Sequence, residues 1–156
     1  MPINKNRVMR QLLKYNPGVL PSKPSPTSGK SITVEVDGIP PYKDLSRSIR
    51  NVMHPRYAAF ASLREAAIVE MKGRAPFRGP VSLELEILTP SLPTNRKLSD
   101  YLGGIMDTLD GSHGPTFTYL PVVYEDDCQV VQCHTKIVAD KKDRYRLRVA
   151  FLPDTA

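Results

Sequence analysis

The residues best suited to chemistry lie in two blocks, RKLSDYLGGIMDTLDG at 96–111 and VVYEDDCQVV at 122–131. The first block carries Asp100, and the second carries the adjacent pair Asp126 and Asp127. A helix and a strand end that are joined by a loop can bring carboxylates from two elements to one place. Carboxylate oxygens are the ligands of hard cations such as Mg²⁺, which keeps several of its waters. The two blocks therefore predict a site for a divalent cation.

The spacing of apolar residues assigns the two blocks to different elements. In the first block the apolar residues recur at steps of three and four, which predicts a helix with one apolar stripe; they are Leu98, Leu102, Ile105 and Leu109. The second block has a strand pattern that continues extended through residues 129–131. If the backbone is extended there, Asp126 and Asp127 point to opposite faces of the sheet.

Two glycines in the middle of the helix, Gly103 and Gly104, are unusual because each costs roughly 1 kcal/mol against alanine. At 100° per residue they lie between Asp100 and Asp107, on the side opposite the apolar stripe. Another backbone can approach closely there. It belongs either to DNA or a partner subunit, or to a loop of the same chain.

These blocks also resemble the core of the RusA-like Holliday-junction resolvases, small Mg²⁺-dependent endodeoxyribonucleases of phage and prophage origin. The family pattern is roughly P-D-x-D-N-L-x-K-x-x-x-D-A-L-N-G, then a variable loop, then V-x-x-D-D-x-Q-V. Upstream, ITVEVDGIPP at 32–41 resembles the opening strand and Pro-Pro loop of the family. The resemblance covers about residues 31–152. It implies a homodimer that cuts branched DNA in recombination and repair.

The chain departs from the family pattern on the helix. Lys97 and Ser99 stand where the family has two aspartates, Asp100 replaces its asparagine, and Gly103 replaces its lysine. The resemblance implies Asp127 as a metal ligand with Asp126 in support, and a shift by one residue lets Asp100 join them. We therefore expect Mg²⁺ or Mn²⁺ to be held by these three aspartates, with Lys97 or Lys136 supplying positive charge and activity reduced.

The charge of the chain is concentrated at its start. The whole formal net charge of +6 lies in residues 1–30, which include Arg7 and Arg10 and no acidic residue. This segment is rich in proline and is typical of a linker or a disordered arm. We expect a basic arm at 1–30 before a domain at 31–156. The arm either contacts phosphates, with salt-sensitive affinity, or is a solvated extension.

A second basic stretch follows the Pro-Pro loop. It interleaves cationic residues with one aromatic, a composition that suits contact with the nucleic-acid backbone and base stacking; it comprises Tyr42, Lys43, Arg47, Arg50, His54 and Arg56. Lys136, on the strand after the paired aspartates, is a further expected phosphate contact. An ordinary polar loop is the alternative.

The remaining elements are clear from periodicity. Alternation predicts strands at 31–36, 81–88 and 144–151, and an apolar stripe predicts a helix at 57–72 that stops at Gly73. The order β, α, β, α, β, β predicts a single α+β domain, with two main helices packed on one mixed sheet. The outer faces of two strands carry charge: Glu84 and Glu86 on one, and three arginines on the last.

Composition limits the classes of function. No apolar run approaches the ~20 residues that a bilayer span needs, so we expect no membrane partner. Two cysteines on one predicted strand, buried and too far apart to pair, favour a reducing cytoplasm. Three hypotheses remain: a RusA-like endonuclease, a RusA-like DNA-binding protein without catalysis, and an interaction protein that reuses the fold. The replaced helix aspartates separate the first two, and the basic segments argue against the third.

Overall fold

The computed structural model describes residues 20–43, 49, 53–92, 96–111 and 119–154. Within these residues the fold is a four-stranded mixed sheet with two helices on one side, which confirms the predicted α+β class and the predicted order of elements. The elements in chain order are β1 (Ser31–Asp37), α1 (Tyr57–Met71), β2 (Val81–Thr89), α2 (Leu98–Leu109), a 3₁₀ turn (Asp127–Gln129), β3 (Val130–Ala139) and β4 (Arg144–Phe151).

The strands lie in the order β1-β4-β2-β3. Strand β4 pairs antiparallel with both β1 and β2, whereas β2 and β3 run parallel. A parallel pair needs a crossover connection, and α2 lies in the one between β2 and β3. The arginine-bearing strand β4 is therefore central, so its arginines do not protect a sheet edge.

The core lies between the helices and one face of the sheet. Each strand of the β1-β4-β2 group alternates as predicted, with its apolar residues turned toward the helices and its polar residues outward. The largest fully buried side chains come from both layers and from the segment before the 3₁₀ turn; they include Phe60, Leu63, Ile105, Leu109, Tyr124, Tyr145, Leu147 and Phe151.

Helix α2 is rotated from its predicted orientation. Leu98, predicted on the core stripe, is 41% exposed, whereas Gly104 is buried. The buried face instead runs through Tyr101, Gly104, Ile105, Thr108 and Leu109. The cause is the loop after β1, which crosses the helix on its glycine side and buries a face predicted to point away from the core.

The start of β3 also differs from the prediction. The chain is not extended through Gln129, because residues Asp127–Gln129 form a 3₁₀ turn and the strand begins at Val130. The two cysteines consequently lie on different elements. Both are free, as predicted, but the expectation that they are buried is wrong because Cys128 and Cys133 are exposed.

The end of the basic segment lies against the domain. The Ser22 and Lys23 amides both donate to the Gly73 carbonyl, at 2.9 and 3.0 Å, and the Gly29 amide donates to the Phe151 carbonyl at 2.7 Å. Residues 22–30 are thus anchored between the end of α1 and the end of β4. Residues 1–19, with Arg7 and Arg10, lie outside the described residues.

Candidate nucleic-acid interface

The loop after β1 is held on helix α2 by two contacts. The Lys43 amide donates to the Asp100 carbonyl at 2.9 Å, and the Pro41 carbonyl lies against the α-carbon of Gly104. A β-carbon at Gly104 would come within 2.3 Å of the Pro41 oxygen, which is a forbidden contact. The backbone that approaches the glycines therefore belongs to the same chain, and its position fixes Tyr42.

Two guanidinium groups contact the ring of Tyr42. The Arg96 guanidinium carbon is 3.7 Å from the centre of the Tyr42 ring, and that of Arg56 is 4.7 Å away. Both arginines also donate hydrogen bonds to the Tyr42 hydroxyl. The edge of the ring packs against Tyr101 of α2, with centroids 6.1 Å apart and planes at 79°. Cation–π contact and hydrogen bonding together hold both cations at one place.

Each of these two arginines lies just before the N-terminal end of a different helix. Arg56 directly precedes α1, where its amide donates to Nδ1 of the buried His54 at 2.9 Å. Arg96 lies two residues before α2, whose first turn is capped by Asp100: a carboxylate oxygen accepts from the Lys97 amide at 3.0 Å. The sites of Arg56 and Arg96 are therefore set by helix geometry and not by the loop alone.

Two lysines extend the positive charge around the arginines. Lys43 follows Tyr42 and lies along Gly103, with its Cδ about 3.2 Å from where a β-carbon there would be, and Lys97 follows Arg96. We call the five residues Tyr42, Lys43, Arg56, Arg96 and Lys97 the Tyr42 cluster. Among the described residues, none of its four cations forms an ion pair with a carboxylate.

The electrostatics of the cluster favour an anion. The nitrogens of Arg56 and Arg96 that donate hydrogen bonds to the Tyr42 hydroxyl are at most about 5 Å apart. Two positive unit charges at that distance repel each other by about 1 to 3 kcal/mol at a protein surface. An oxyanion that both guanidiniums contact would relieve this repulsion. Phosphate suits the planar guanidinium, which presents paired donors.

The arginines on the outer face of the sheet are arranged differently. Arg146 pairs with Glu35 at 2.8 Å, and Arg148 pairs with Glu84 at 3.3 Å. Lys136, the expected phosphate contact on β3, pairs with Glu86 at 3.1 Å. These cations already have carboxylate partners, so this face offers a phosphate less unbalanced charge than the Tyr42 cluster does.

The acidic turn before β3 has a structural arrangement centred on Gln129. Its amide nitrogen donates to the carbonyls of Phe77 and Gly79, both at 2.8 Å, and its oxygen accepts from the amides of Glu125 and Asp126 at 2.8 and 3.0 Å. The Asp126 carboxylate accepts from the Cys128 amide at 2.9 Å. Asp126 and Gln129 thus hold the turn against the segment before β2.

The same aspartate affects a cysteine. The hydrogen bond with Asp126, followed by partial desolvation and the negative charges of Asp126 and Asp127, raises the pKa of the exposed Cys128. Partial desolvation by neighbouring atoms also raises the pKa of Cys133, although that residue is exposed. Neither thiol is therefore activated as a nucleophile, since the thiolate is the reactive form.

Asp127 shares its surroundings with the C-terminal end of α2. Burial, followed by the negative charges of Asp110 and Asp127, raises the pKa of the fully buried Tyr124 well above its ordinary value, and Asp107 adds to the effect. Negative charges at the C-terminal end of α2 and in the turn thus act on one hydroxyl, although that hydroxyl has no hydrogen-bond partner among the described residues. The residues at the helix end are Asp107 in α2 and its C-cap Asp110, and not Asp100.

The three aspartates expected to hold Mg²⁺ are not gathered. Asp100 caps the N-terminal end of α2, about 10 Å along the axis from Asp107, whereas Asp127 lies toward the other end. Asp126 caps its own turn. Within the described ranges, no group of three or more His, Cys, Asp or Glu residues is placed to hold a metal ion. This donor set does not fit a resident Mg²⁺ site.

The other predicted site residues divide into two groups. Lys43 and Lys97 belong to the Tyr42 cluster, and of the three aspartates Asp100 is the one that Lys97 contacts, through its backbone amide. Arg47 and Arg50 lie outside the described residues. Arg96 is the residue that sequence reasoning missed, because its role depends on a contact with Tyr42, 54 positions away. Its only local signal is its place just before a predicted helix.

No protein-family model matches the chain, and no curated protein matches it.

In the part of the chain that the structure describes, no helix has the length and apolar character required to cross a bilayer.

Proposed function

We propose that this protein binds DNA through its backbone phosphates, with the Tyr42 cluster as the contact surface. The observation that carries the proposal is the pair of guanidiniums, from Arg56 and Arg96, that share one tyrosine hydroxyl and have no carboxylate partner among the described residues. Phosphate contacts by Lys and Arg supply most of the affinity in sequence-independent DNA binding.

The geometry favours backbone contact over base reading. Because two guanidiniums lie over the Tyr42 ring, the ring is occupied and is a poor platform for a stacked base. The guanidiniums themselves are held in place before binding, which lowers the conformational entropy cost when a phosphate binds. Such contacts position a protein on DNA without specifying sequence.

The target class we propose is branched DNA, with four-way Holliday junctions as the preferred substrate in recombination and repair. This part rests on the RusA-like pattern in 96–111 and 122–131, together with the Pro-Pro loop that delivers Tyr42. A junction has two equivalent halves, so a homodimer suits it. The resemblance also suggests a cytoplasmic protein of prophage type.

The second candidate function is metal-dependent cleavage of that DNA. It is favoured by the negative charges of Asp107, Asp110 and Asp127, which all raise the pKa of the buried Tyr124, because metal-dependent phosphodiester cleavage uses acidic groups near one another. It is weakened because the described residues include no group of three ligands placed to hold a metal ion. DNA binding without efficient catalysis is therefore the better supported function.

Fluorescence anisotropy with a labelled four-way junction and a linear duplex of equal length tests the proposal. Arg56→Ala and Arg96→Ala should each weaken junction binding and lower the slope of log K against log salt by about 1. Arg78→Ala is the matched control, because Arg78 is an exposed arginine that already pairs with Glu125 at 3.0 Å. Equal binding by all three variants and the wild type would exclude the Tyr42 cluster, and equal affinity for duplex and junction would exclude junction preference.

A further inference from the structure

The outer face of the sheet carries ordered charge and is not covered by a helix in the described part of the chain. On β1, β2 and β4 its side chains alternate with the buried core residues, and on β3, which has no buried residue, most side chains are exposed. We call this surface the outer sheet face; its central residues are Thr33, Glu35, Glu84, Glu86, His134, Lys136, Arg146 and Arg148.

Strand register arranges these residues in rows that cross all four strands. One row reads Glu35, Arg146, Glu86, Lys136 in the order β1-β4-β2-β3. Its charges alternate as minus, plus, minus, plus. The end pairs form ion pairs, Arg146 with Glu35 at 2.8 Å and Lys136 with Glu86 at 3.1 Å.

The neighbouring row reads Thr33, Arg148, Glu84, His134. Arg148 and Glu84 are paired at 3.3 Å in its centre, and Thr33 and His134 lie at its ends. The carboxylates and the Lys and Arg cations of the two rows are equal in number. The face is therefore locally neutral, although the chain as a whole carries a formal charge of +6.

An alternating row with an even number of charges is complementary to itself. Consider two copies whose outer sheet faces meet, related by a two-fold axis in the interface. If that axis is parallel to the strands and lies between β4 and β2, each row meets the same row of the second copy in reversed order. Glu35 then faces Lys136 of the partner subunit, and Arg146 faces Glu86 of the partner subunit. In the second row Arg148 faces Glu84 of the partner subunit. A two-fold axis along a row would instead oppose like charges.

We propose that the outer sheet face binds a second copy of this chain, face to face, about that strand-parallel two-fold axis. It specifies a surface for the homodimer proposed above, but it does not require DNA binding. Four strands about 4.8 Å apart make a face only about 14 Å wide between its outer strands, so the contact area is smaller than the roughly 800 Å² per partner of a standard interface. The dimer is therefore weak, and because its contacts are between exposed charges it is also sensitive to salt. The helices and the Tyr42 clusters lie on its outer sides.

Reversal of the charged row tests this arrangement by analytical ultracentrifugation. The single change Arg146→Glu should raise the dimer dissociation constant by about a hundredfold or more, because like charges then meet twice in each dimer. The control Arg78→Glu, on an exposed arginine away from the face, should leave self-association unchanged. Circular dichroism verifies that each variant is folded.

The full reversal gives the sharper result. A chain with Glu35→Lys, Arg146→Glu, Glu86→Lys and Lys136→Glu keeps an alternating row, so it should form dimers with itself. It should form mixed dimers with the wild type far more weakly, because every contact in that row would then oppose like charges. Free mixing, or a wild type that stays monomeric at every concentration and at low salt, would overturn the proposal.

A short thiol cross-linker provides a test that does not depend on charge. In a chain whose Cys128 and Cys133 are replaced by serine, Thr33→Cys and His134→Cys place thiols at opposite ends of one row, and three strand spacings separate them by about 14 Å. Facing sheets lie roughly 10 Å apart, so in the proposed dimer the thiol introduced on β1 of one copy is nearer to the thiol introduced on β3 of the other. A bis-maleimide too short to join the two thiols of one chain should therefore give a covalent dimer whose two links mass spectrometry can locate. A chain that stays monomeric with this reagent would contradict the proposed axis.

Discussion

Gly104 and Pro41 are in backbone contact, so close that a β-carbon at Gly104 would lie 2.3 Å from the Pro41 oxygen and 2.5 Å from its carbonyl carbon. Helix α2 therefore retains a residue that weakens helices because the loop after β1 crosses at that point. The contact has a consequence for function, since the residue after Pro41 is Tyr42, which holds two arginines.

Gly104→Ala should destabilise the fold by about 1–3 kcal/mol, because the methyl group can fit only if the loop moves. The same movement should weaken DNA binding by displacing Tyr42. Gly103→Ala is the matched control: its nearest neighbour is the flexible Lys43 side chain at 3.2 Å, and alanine gains up to about 1 kcal/mol of helix propensity. Urea unfolding measures the change in unfolding free energy of each variant. Equal stability of the two variants would contradict the backbone contact.

Gln129 should be essential to stability and not to chemistry. Gln129→Ala removes hydrogen bonds to Phe77, Gly79, Glu125 and Asp126 at once, so we expect a decrease of about 2–4 kcal/mol in unfolding free energy. Gln129→Glu keeps the acceptor but places a carboxylate against two carbonyl oxygens, so it should be no better. Thermal unfolding tests this, and a Gln129→Glu variant as stable as the wild type would refute the assigned hydrogen bonds.

Much of the fold could be predicted from the sequence because its strands bury one face only. Alternation in β4 (Arg144–Phe151) sets both ends of that strand, and in β2 it misses only the last residue, Thr89. Helix α1 is likewise marked by its apolar stripe and by a left-handed end at Lys72 and Gly73. These signals are local and depend on neighbours within a few residues.

The site could be predicted only in part, because its contacts join distant residues. The charge and aromatic content around Lys43 indicate a phosphate-binding surface, but nothing local links Tyr42 to Arg96. The motif of the paired aspartates suggests metal ligands. The structure also gives it a role that local pattern does not reveal, because Asp126 caps a turn and Gln129 bonds to a segment about 50 positions earlier.

Removal of residues 1–19 should flatten the salt dependence of DNA binding while the domain stays folded. That segment carries Lys5, Arg7, Arg10 and Lys14, and the anchored residues 22–30 remain. Each phosphate interaction that the truncation removes should lower the slope of log K against log salt by about 0.9. A full-length chain with those four residues changed to glutamine shows whether the effect on the slope comes from the lost charge or from the lost length of chain. An unchanged slope in both would remove the arm from binding.

Alkaline pH should unfold the protein through its buried tyrosines. Burial first, and then nearby negative charges, raise the pKa of Tyr124, and burial raises that of Tyr145. The unfolded chain loses these protons near pH 10 while the folded chain keeps them, so the unfolding free energy should fall above about pH 10. The expected slope is about 1.4 kcal/mol per pH unit for each tyrosine.

Tyr124→Phe should remove the contribution of one tyrosine to the fall of the unfolding free energy with pH. It should also leave stability at pH 7 unchanged or higher, since the buried hydroxyl has no hydrogen-bond partner among the described residues. Urea unfolding between pH 8 and 11 measures both quantities, with Tyr145→Phe as the parallel variant. A slope equal to that of the wild type would mean that Tyr124 ionises in the folded protein.

Cleavage of four-way junctions with Mg²⁺ should be slow or absent. Mg²⁺ sheds water reluctantly and needs converging carboxylates, which the described residues do not supply as a group of three. Mn²⁺ should be the better cation if either works, since Mg²⁺ demands near-ideal octahedral geometry and Mn²⁺ tolerates a less regular set of oxygen and nitrogen ligands. Gel assays with each cation measure the rates.

Two substitutions then assign whatever cleavage is found. Asp127→Asn should abolish it while leaving DNA binding intact or tighter, because the substitution removes one negative charge from the protein. Asp100→Asn should leave it unchanged, because Asp100 caps the far end of α2 through the Lys97 amide at 3.0 Å. Loss of cutting in Asp100→Asn would instead support a site in which Asp100 stands in for a missing aspartate. Robust cleavage that survives both substitutions would place the chemistry outside these residues.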